Sequence, residues 1–125
     1  MLSLMTKLWI DDDDWSGTRT PPSDDWLWAK TSAEALAYLQ NPNLVIDEVS
    51  FDHDLGYLKD ENGEVALDEY TQKPLDDTTR RVVLWMAEFE AFPPICRIHT
   101  ANNIGRAWLS DMIDHYGPGV TTGSY

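Results

Sequence analysis

Basic residues are scarce in this chain: nine Lys and Arg stand against 22 Asp and Glu, for a formal charge of −13 at neutral pH. Such an imbalance opposes general attraction to a phosphate backbone, so long DNA or RNA is not an expected partner. Cysteine is scarcer still. Cys96 stands alone between Ile95 and Arg97-Ile98; no internal disulfide can form, and the residue reads as a small buried hydrophobe rather than a nucleophile. Long hydrophobic runs are missing too. Nothing approaches the ~20 consecutive apolar residues of a membrane-spanning helix, and the first residues lack the apolar region of a signal peptide. A soluble, cytoplasmic protein with no membrane partner is expected. No repeat, low-complexity stretch or linker interrupts the 125 residues, which read as one domain, 1–125, with one core.

Acid is what the chain has in abundance, and it is unevenly placed. Asp11-Asp12-Asp13-Asp14, Asp24-Asp25, Asp52, Asp54 and Asp76-Asp77 fall around the expected ends of strands and starts of helices. Acidity suits a cation site, a solubility device or a mimic of nucleic-acid charge; the clustering favours the cation site.

Residues 4–10 read as a first strand that must stop at or near Asp11, because four consecutive aspartates cannot all be buried unpaired. Residues 15–23 are rich in turn formers and read as a loop over the site. A short second strand follows at 26–30. Thr31 and Glu34 have capping-box spacing, and Ala35, Leu36 and Leu39 form the stripe of a helix over 31–40, ended by Asn41-Pro42. Residues 44–46 lead into a central strand at 49–51. Tyr57-Leu58 and Val65-Ala66-Leu67, with Asn62-Gly63 between them, indicate a small hairpin inserted at 57–75, either a lid or a surface decoration. Asp76-Asp77-Thr78-Thr79 is expected to cap a helix over 78–92 with Val82, Val83, Trp85, Met86 and Phe89 inward, stopped by Pro93-Pro94. A strand at 95–98 precedes a helix starting at Asn102 or Asn103, its core face Ile104, Trp108, Leu109, Met112, Ile113 and Tyr116. Residues 120–122 are a candidate edge strand. Alternation of this kind predicts an α/β fold, a three-layer sandwich around a mostly parallel sheet.

Ligands of open α/β sheets collect at the carboxyl ends of the strands, and three apolar runs deliver polar residues there. Leu8-Trp9-Ile10 ends in the aspartates; Val49-Ser50-Phe51 ends in Asp52-His53-Asp54-Leu55-Gly56; Cys96-Arg97-Ile98 ends in His99-Thr100-Ala101-Asn102-Asn103. Asp11, Asp12 and Asp52 would repel one another without a cation or proton between them, and hard carboxylate oxygens suit Mg²⁺, Mn²⁺ or Ca²⁺. Asp54 is a further candidate ligand; the competing role for each is to cap a loop or helix. His53 and His99 are candidates for acid/base work or metal ligation, against a purely structural role. Thr100, Asn102, Asn103 and Arg106 gather at a helix start, where hydroxyl, amides, free N–H groups and a guanidinium make a phosphate site. Ordinary N-capping by either asparagine is compatible with it.

The pieces LWIDDD, SFDHDLG, DDTTRRVVLW and IHTANNIGR together resemble a known family. Asp11-Asp12 after the first strand, Asp52 after the third and Thr100-Ala101 after the fourth are similar to the response-regulator receiver, in which an acidic pair and an aspartate hold Mg²⁺ and the aspartate accepts a phosphoryl group. Over residues 7–116 the chain more closely resembles the cyclic-phosphate-processing receiver-like domain, an offshoot with extra histidines and asparagines. The resemblance implies a flavodoxin-like sheet and work on cyclic or terminal nucleotide phosphates. An ordinary receiver also carries a lysine at the end of a fifth strand; residues 117–125 contain none, which counts against the usual phosphoryl switch. The expected function is a metal-dependent phosphohydrolase acting on a small nucleotide phosphate, cyclic ones included, with Mg²⁺ or Mn²⁺, and with Asp52, His53 and His99 as catalytic candidates. The alternative is a non-catalytic module that captures a phosphorylated nucleotide or, as a degenerate receiver, docks a protein partner.

Overall fold

The computed structural model describes residues 6–13 and 19–123. In chain order the elements are β1 (Thr6–Ile10), β2 (Trp26–Ala29), α1 (Ser32–Leu39), β3 (Ile46–Phe51), β4 (Asp54–Tyr57), β5 (Asp76–Thr78), α2 (Arg80–Glu88), β6 (Ile95–Ile98) and α3 (Asn103–Tyr116). Four parallel strands form a sheet in the order β2-β1-β3-β6, and β4 pairs antiparallel with β5 in a separate hairpin. This is the α/β, receiver-like arrangement expected from the sequence. Residues 4–5, Asp14 and residues 15–18 of the loop expected at 15–23 lie outside the described residues.

Register decides what meets at the sheet's rim. Ile10 lies beside Phe51, and Phe51 beside Ile98. The ladder runs one step further: Asp11 donates its N–H to Ala29 O at 3.0 Å, Asp52 to Ile10 O at 2.9 Å and His99 to Phe51 O at 2.9 Å. Asp11, Asp52 and His99 are therefore carried to one edge by backbone pairing alone, where successive side chains alternate between faces.

One face of the sheet carries Leu8, Ile10, Ala29, Val49, Phe51 and Cys96, all fully buried against Ala35 of α1, Val82, Val83 and Met86 of α2, and Leu109 and Ile113 of α3. All three helices lie side by side there, α1 against α2 and α2 against α3. Right-handed crossovers explain this: β2 to β3 and β3 to β6 step the same way across the sheet, so their helices land on the same side. The connection from β1 to β2 steps backwards, and none of its described residues is helical. The third layer expected of a sandwich is thus not a helix among the described residues. That second face carries Trp9, Trp26, Glu48, Ser50 and Arg97, with Trp9 edge-on to Trp26 at 5.5 Å and Arg97 Nε paired to Glu48 at 2.9 Å.

Several local expectations need correction. Asp76-Asp77-Thr78 form β5, and of the four residues expected to cap α2 it is Thr78 whose hydroxyl does so, accepting Arg80 N–H at 3.2 Å, while the N-cap Thr79 makes no side-chain capping bond. Asp77 caps the other helix: it accepts Ser32 N–H at 3.0 Å and the Ser32 hydroxyl at 2.6 Å, a buried carboxylate at the start of α1. Helix α2 ends at Glu88 because Glu90 turns left-handed, with φ of 51°, and Phe89, Ile104 and Tyr116, expected inward, are exposed. Thr31 and Asn102 do cap α1 and α3. The edge strand at 120–122 shrinks to one bridge between Val120 and Cys96. Asn62-Gly63 does mark the tip of the insertion, Gly63 having φ of 80°, but the hairpin closes deeper than expected, through Asp54 and Thr78.

Candidate functional site

Asp11, Asp12 and Asp52 each offer a carboxylate oxygen within 4.8 Å of the others. Asp11 and Asp52 are buried and Asp12 is half-buried. Neighbouring bonds fix the first two. Asp11 accepts Asp13 N–H on Oδ1 at 2.8 Å and His99 Nε2–H on Oδ2 at 2.9 Å. Asp52 accepts His53 N–H on Oδ1 at 2.9 Å and is also bonded by the Thr100 hydroxyl. Burial pushes the Asp52 carboxyl above the usual range; the charge of Asp11 pushes the same way, against the Thr100 and His53 bonds and Arg19. Asp12 is raised as well, first by burial and further by Asp52 and Asp11. Gly56 leaves room for this crowd. Its φ is 76°, and a Cβ there would stand 3.3 Å from Asp12 Oδ2, so the hairpin backbone approaches the site only as glycine.

Arg19 enters the same cluster, and it was not among the residues singled out from the sequence. Its Nη1 lies 2.9 Å from Asp52 Oδ2, and its Nη2 lies 3.8 Å from both Asp11 Oδ1 and Asp12 Oδ1. One signal was available, since it is the only basic residue between Lys7 and Lys30. His99 lies behind Asp11, stacked on Trp9 with ring centroids 3.9 Å apart and Nδ1 facing the Ser50 hydroxyl at 2.8 Å.

His53 and Asp54 belong to an adjoining cluster. Arg80 Nε–H donates to His53 Nε2 at 2.8 Å, which leaves the proton on Nδ1 to meet Asp54 Oδ1 at 3.0 Å. Asn102 Nδ2 donates to Asp54 Oδ2 at 3.0 Å. Burial works against the Asp54 charge, yet the Asn102 and His53 bonds and the nearby Arg80 guanidinium outweigh it and hold its carboxyl below the usual range. The Arg80 guanidinium stacks over Trp108, 4.7 Å from the ring centroid. Gly105 of α3 sits on the imidazole: a Cβ there would come within 2.4 Å of His53 Cγ. Asp54, expected from sequence as a metal ligand, is thus not grouped with the three carboxylates.

Of the phosphate candidates, Thr100 is buried and accepts Asn102 N–H at 3.1 Å, while Asn102 accepts Gly105 N–H at 3.0 Å as the cap of α3. Asn103 is exposed in the first turn. Arg106 Nη2 donates to Thr100 O at 2.8 Å and borders a cleft of about 350 Å³ shared with Arg97, His99 and Thr121. Cys96, as expected, is no nucleophile: burial pushes its thiol up to about 12.

With the rim in view, comparison with known proteins is decisive on one point. The family model of the cyclic-phosphate processing receiver domain matches residues 6–115. The chain belongs to this family. No curated protein and no solved structure matches it. For a receiver domain the carboxylates stand where a divalent cation is implied, and the donors fit one: three hard oxygen ligands from two adjacent strand ends, all negative, with two of them pushed up by burial and by their neighbours' charge. The fifth strand of an ordinary receiver is here the single Val120 bridge, and no lysine follows it. No helix among the described residues is long and apolar enough to cross a membrane.

Proposed function

We propose that this receiver domain is a metal-dependent phosphohydrolase for a small phosphate ester, a cyclic or terminal phosphate of a nucleotide. The observation that carries the reading is the convergence of Asp11, Asp12 and Asp52 within 4.8 Å, on a rim shared with Thr100 and Asn102. A divalent cation, Mg²⁺ or Mn²⁺, supplies neutralisation of phosphoryl oxygens and a more acidic water when bound. Asp11, Asp12 and Asp52 would hold it. His99, through Nε2–H on Asp11, fixes which Asp11 oxygen faces the site. Arg106, beside the Thr100 carbonyl, would receive the ester's anionic oxygens together with Asn102 and Asn103 at the start of α3. His53 or His99 would move a proton after releasing one ring nitrogen, from Arg80 in the first case or Ser50 in the second.

A second reading is favoured by a specific observation. Both ring nitrogens of both histidines are already engaged, which suits a module that captures a phosphorylated nucleotide without turning it over. Incubation of the Mn²⁺-supplied protein with a panel of cyclic and terminal nucleotide phosphates separates the two. Hydrolysis that disappears in Asp52→Asn and falls by ~10²–10⁴ in His53→Ala or His99→Ala supports the enzyme, that range being typical of a lost general acid or base. Calorimetric binding with no turnover of any panel member would assign the capture role.

A further inference from the structure

Resting on the metal reading above, we infer that Arg19 is a tethered cation that a divalent metal must displace, and that this makes metal and phosphate binding mutually dependent. Arg19 is the one described side chain that reaches all three carboxylates, with contacts of 2.9, 3.8 and 3.8 Å. A guanidinium is charged at any physiological pH, and its single positive charge only partly offsets three carboxylates; burial and mutual repulsion still push Asp12 and Asp52 up. A divalent cation held by Asp11, Asp12 and Asp52 would compete with Arg19 for the Asp52 carboxylate, one oxygen of which Arg19 Nη1 now occupies. It also brings two like charges against the guanidinium. The two cannot share the cluster.

The backbone of Arg19 stays where it is. Its N–H donates to Asp13 Oδ2 at 2.8 Å and its carbonyl accepts Trp9 Nε1–H at 2.9 Å, so a displaced guanidinium remains within a side chain's length of the site. With its side chain 40% exposed, it has water to turn into. The displaced group then faces whatever anion accompanies the metal, and bidentate recognition of phosphate oxygens is what a guanidinium does well. Metal entry frees the arginine; the phosphate gives it a partner. Each ligand removes a cost the other would bear alone, which is a thermodynamic coupling and is reciprocal.

The test measures free Mn²⁺ by electron paramagnetic resonance during titration of the chelator-stripped full chain, with and without inorganic phosphate, for wild type, Arg19→Gln and Arg19→Lys. Folding is followed by circular dichroism. Without phosphate, Arg19→Gln is expected to bind Mn²⁺ about tenfold more tightly than wild type, and Arg19→Lys to fall between them. Phosphate is expected to tighten Mn²⁺ binding in wild type within the ~5–150-fold range usual for coupled sites, and to do little in Arg19→Gln. Equal or weaker Mn²⁺ binding by Arg19→Gln, or an undiminished phosphate effect in it, overturns the inference and leaves the metal site standing. Should none of the three proteins bind Mn²⁺, the metal reading and the inference fall together. Wild type alone provides an independent arm: absence of any phosphate effect on its Mn²⁺ affinity contradicts the inference whatever the variants do.

Discussion

Asp52 and Asp54 are two residues apart, and their surroundings push their carboxyls in opposite directions. Asp52 ends the β3 ladder among like charges; Asp54 opens β4 among donors. Around Asp54 every oxygen is met, by His53 and by Asn102, and the imidazole is itself held by Arg80 and roofed by Gly105. Around Asp52 the oxygens are also met, by His53 N–H, the Thr100 hydroxyl and Arg19, but positive charge is short, since three carboxylates share one guanidinium. A cluster satisfied by its own side chains needs no ligand, whereas one short of positive charge could hold a cation. The break between the end of β3 at Phe51 and the start of β4 at Asp54 is enough to place the two carboxylates in different surroundings.

The contrast breaks most visibly at the two glycines that guard these clusters. Gly105→Ala must push the His53 ring aside or lift α3, and should destabilise the protein by about 1–3 kcal/mol, the usual cost of overpacking; urea unfolding measures it. Gly56→Ala meets a gentler contact but a left-handed backbone, which costs a residue with a Cβ about 1–2 kcal/mol. Its methyl group also faces Asp12, so Mn²⁺ affinity should fall in this variant and hold in a folded Gly105→Ala. Equal losses of metal affinity in both would erase the distinction between the clusters.

Titration sharpens it further. Because the native carboxyl of Asp52 is raised, the folded chain holds its proton to higher pH than the unfolded chain does. Its contribution to stability therefore falls as pH rises through the native value and is a full penalty above it. Asp54 is lowered, so it contributes stability above the unfolded value and loses it as pH falls through the native one. In chelator at neutral pH, Asp52→Asn should melt higher than wild type and Asp54→Asn lower, both differences shrinking toward acid pH. The smallest expected effect is at Arg106. Its guanidinium donates to a carbonyl, that of Thr100, so Arg106→Ala should leave the melting temperature nearly unchanged and weaken phosphate binding, by calorimetry, through loss of a guanidinium that on the proposed function would hold the anion in ground and transition states alike.

What was legible in the sequence was local or periodic. The strand ends at Ile10, Phe51 and Ile98 follow from apolar runs stopping at charge, and parallel register then brings Asp11, Asp52 and His99 together without further instruction. Caps at Thr31 and Asn102 could be read from a few residues each. Partners distant in the chain could not. Asp77 caps a helix 45 positions away rather than the one it precedes. His53 is held by Arg80 and covered by Gly105, and Arg19 enters the carboxylates from a loop whose turn formers say nothing about where its side chain ends. Asp54 looks like a ligand when read beside Asp52, and only the fold shows that its oxygens are taken.

The most direct measurement is a calorimetric titration of Mn²⁺ into chelator-stripped wild type, Asp52→Asn and Asp54→Asn. A cation site built on Asp11, Asp12 and Asp52 predicts binding in wild type, its loss in Asp52→Asn and its survival in Asp54→Asn. Indistinguishable titrations of wild type and Asp52→Asn would contradict it.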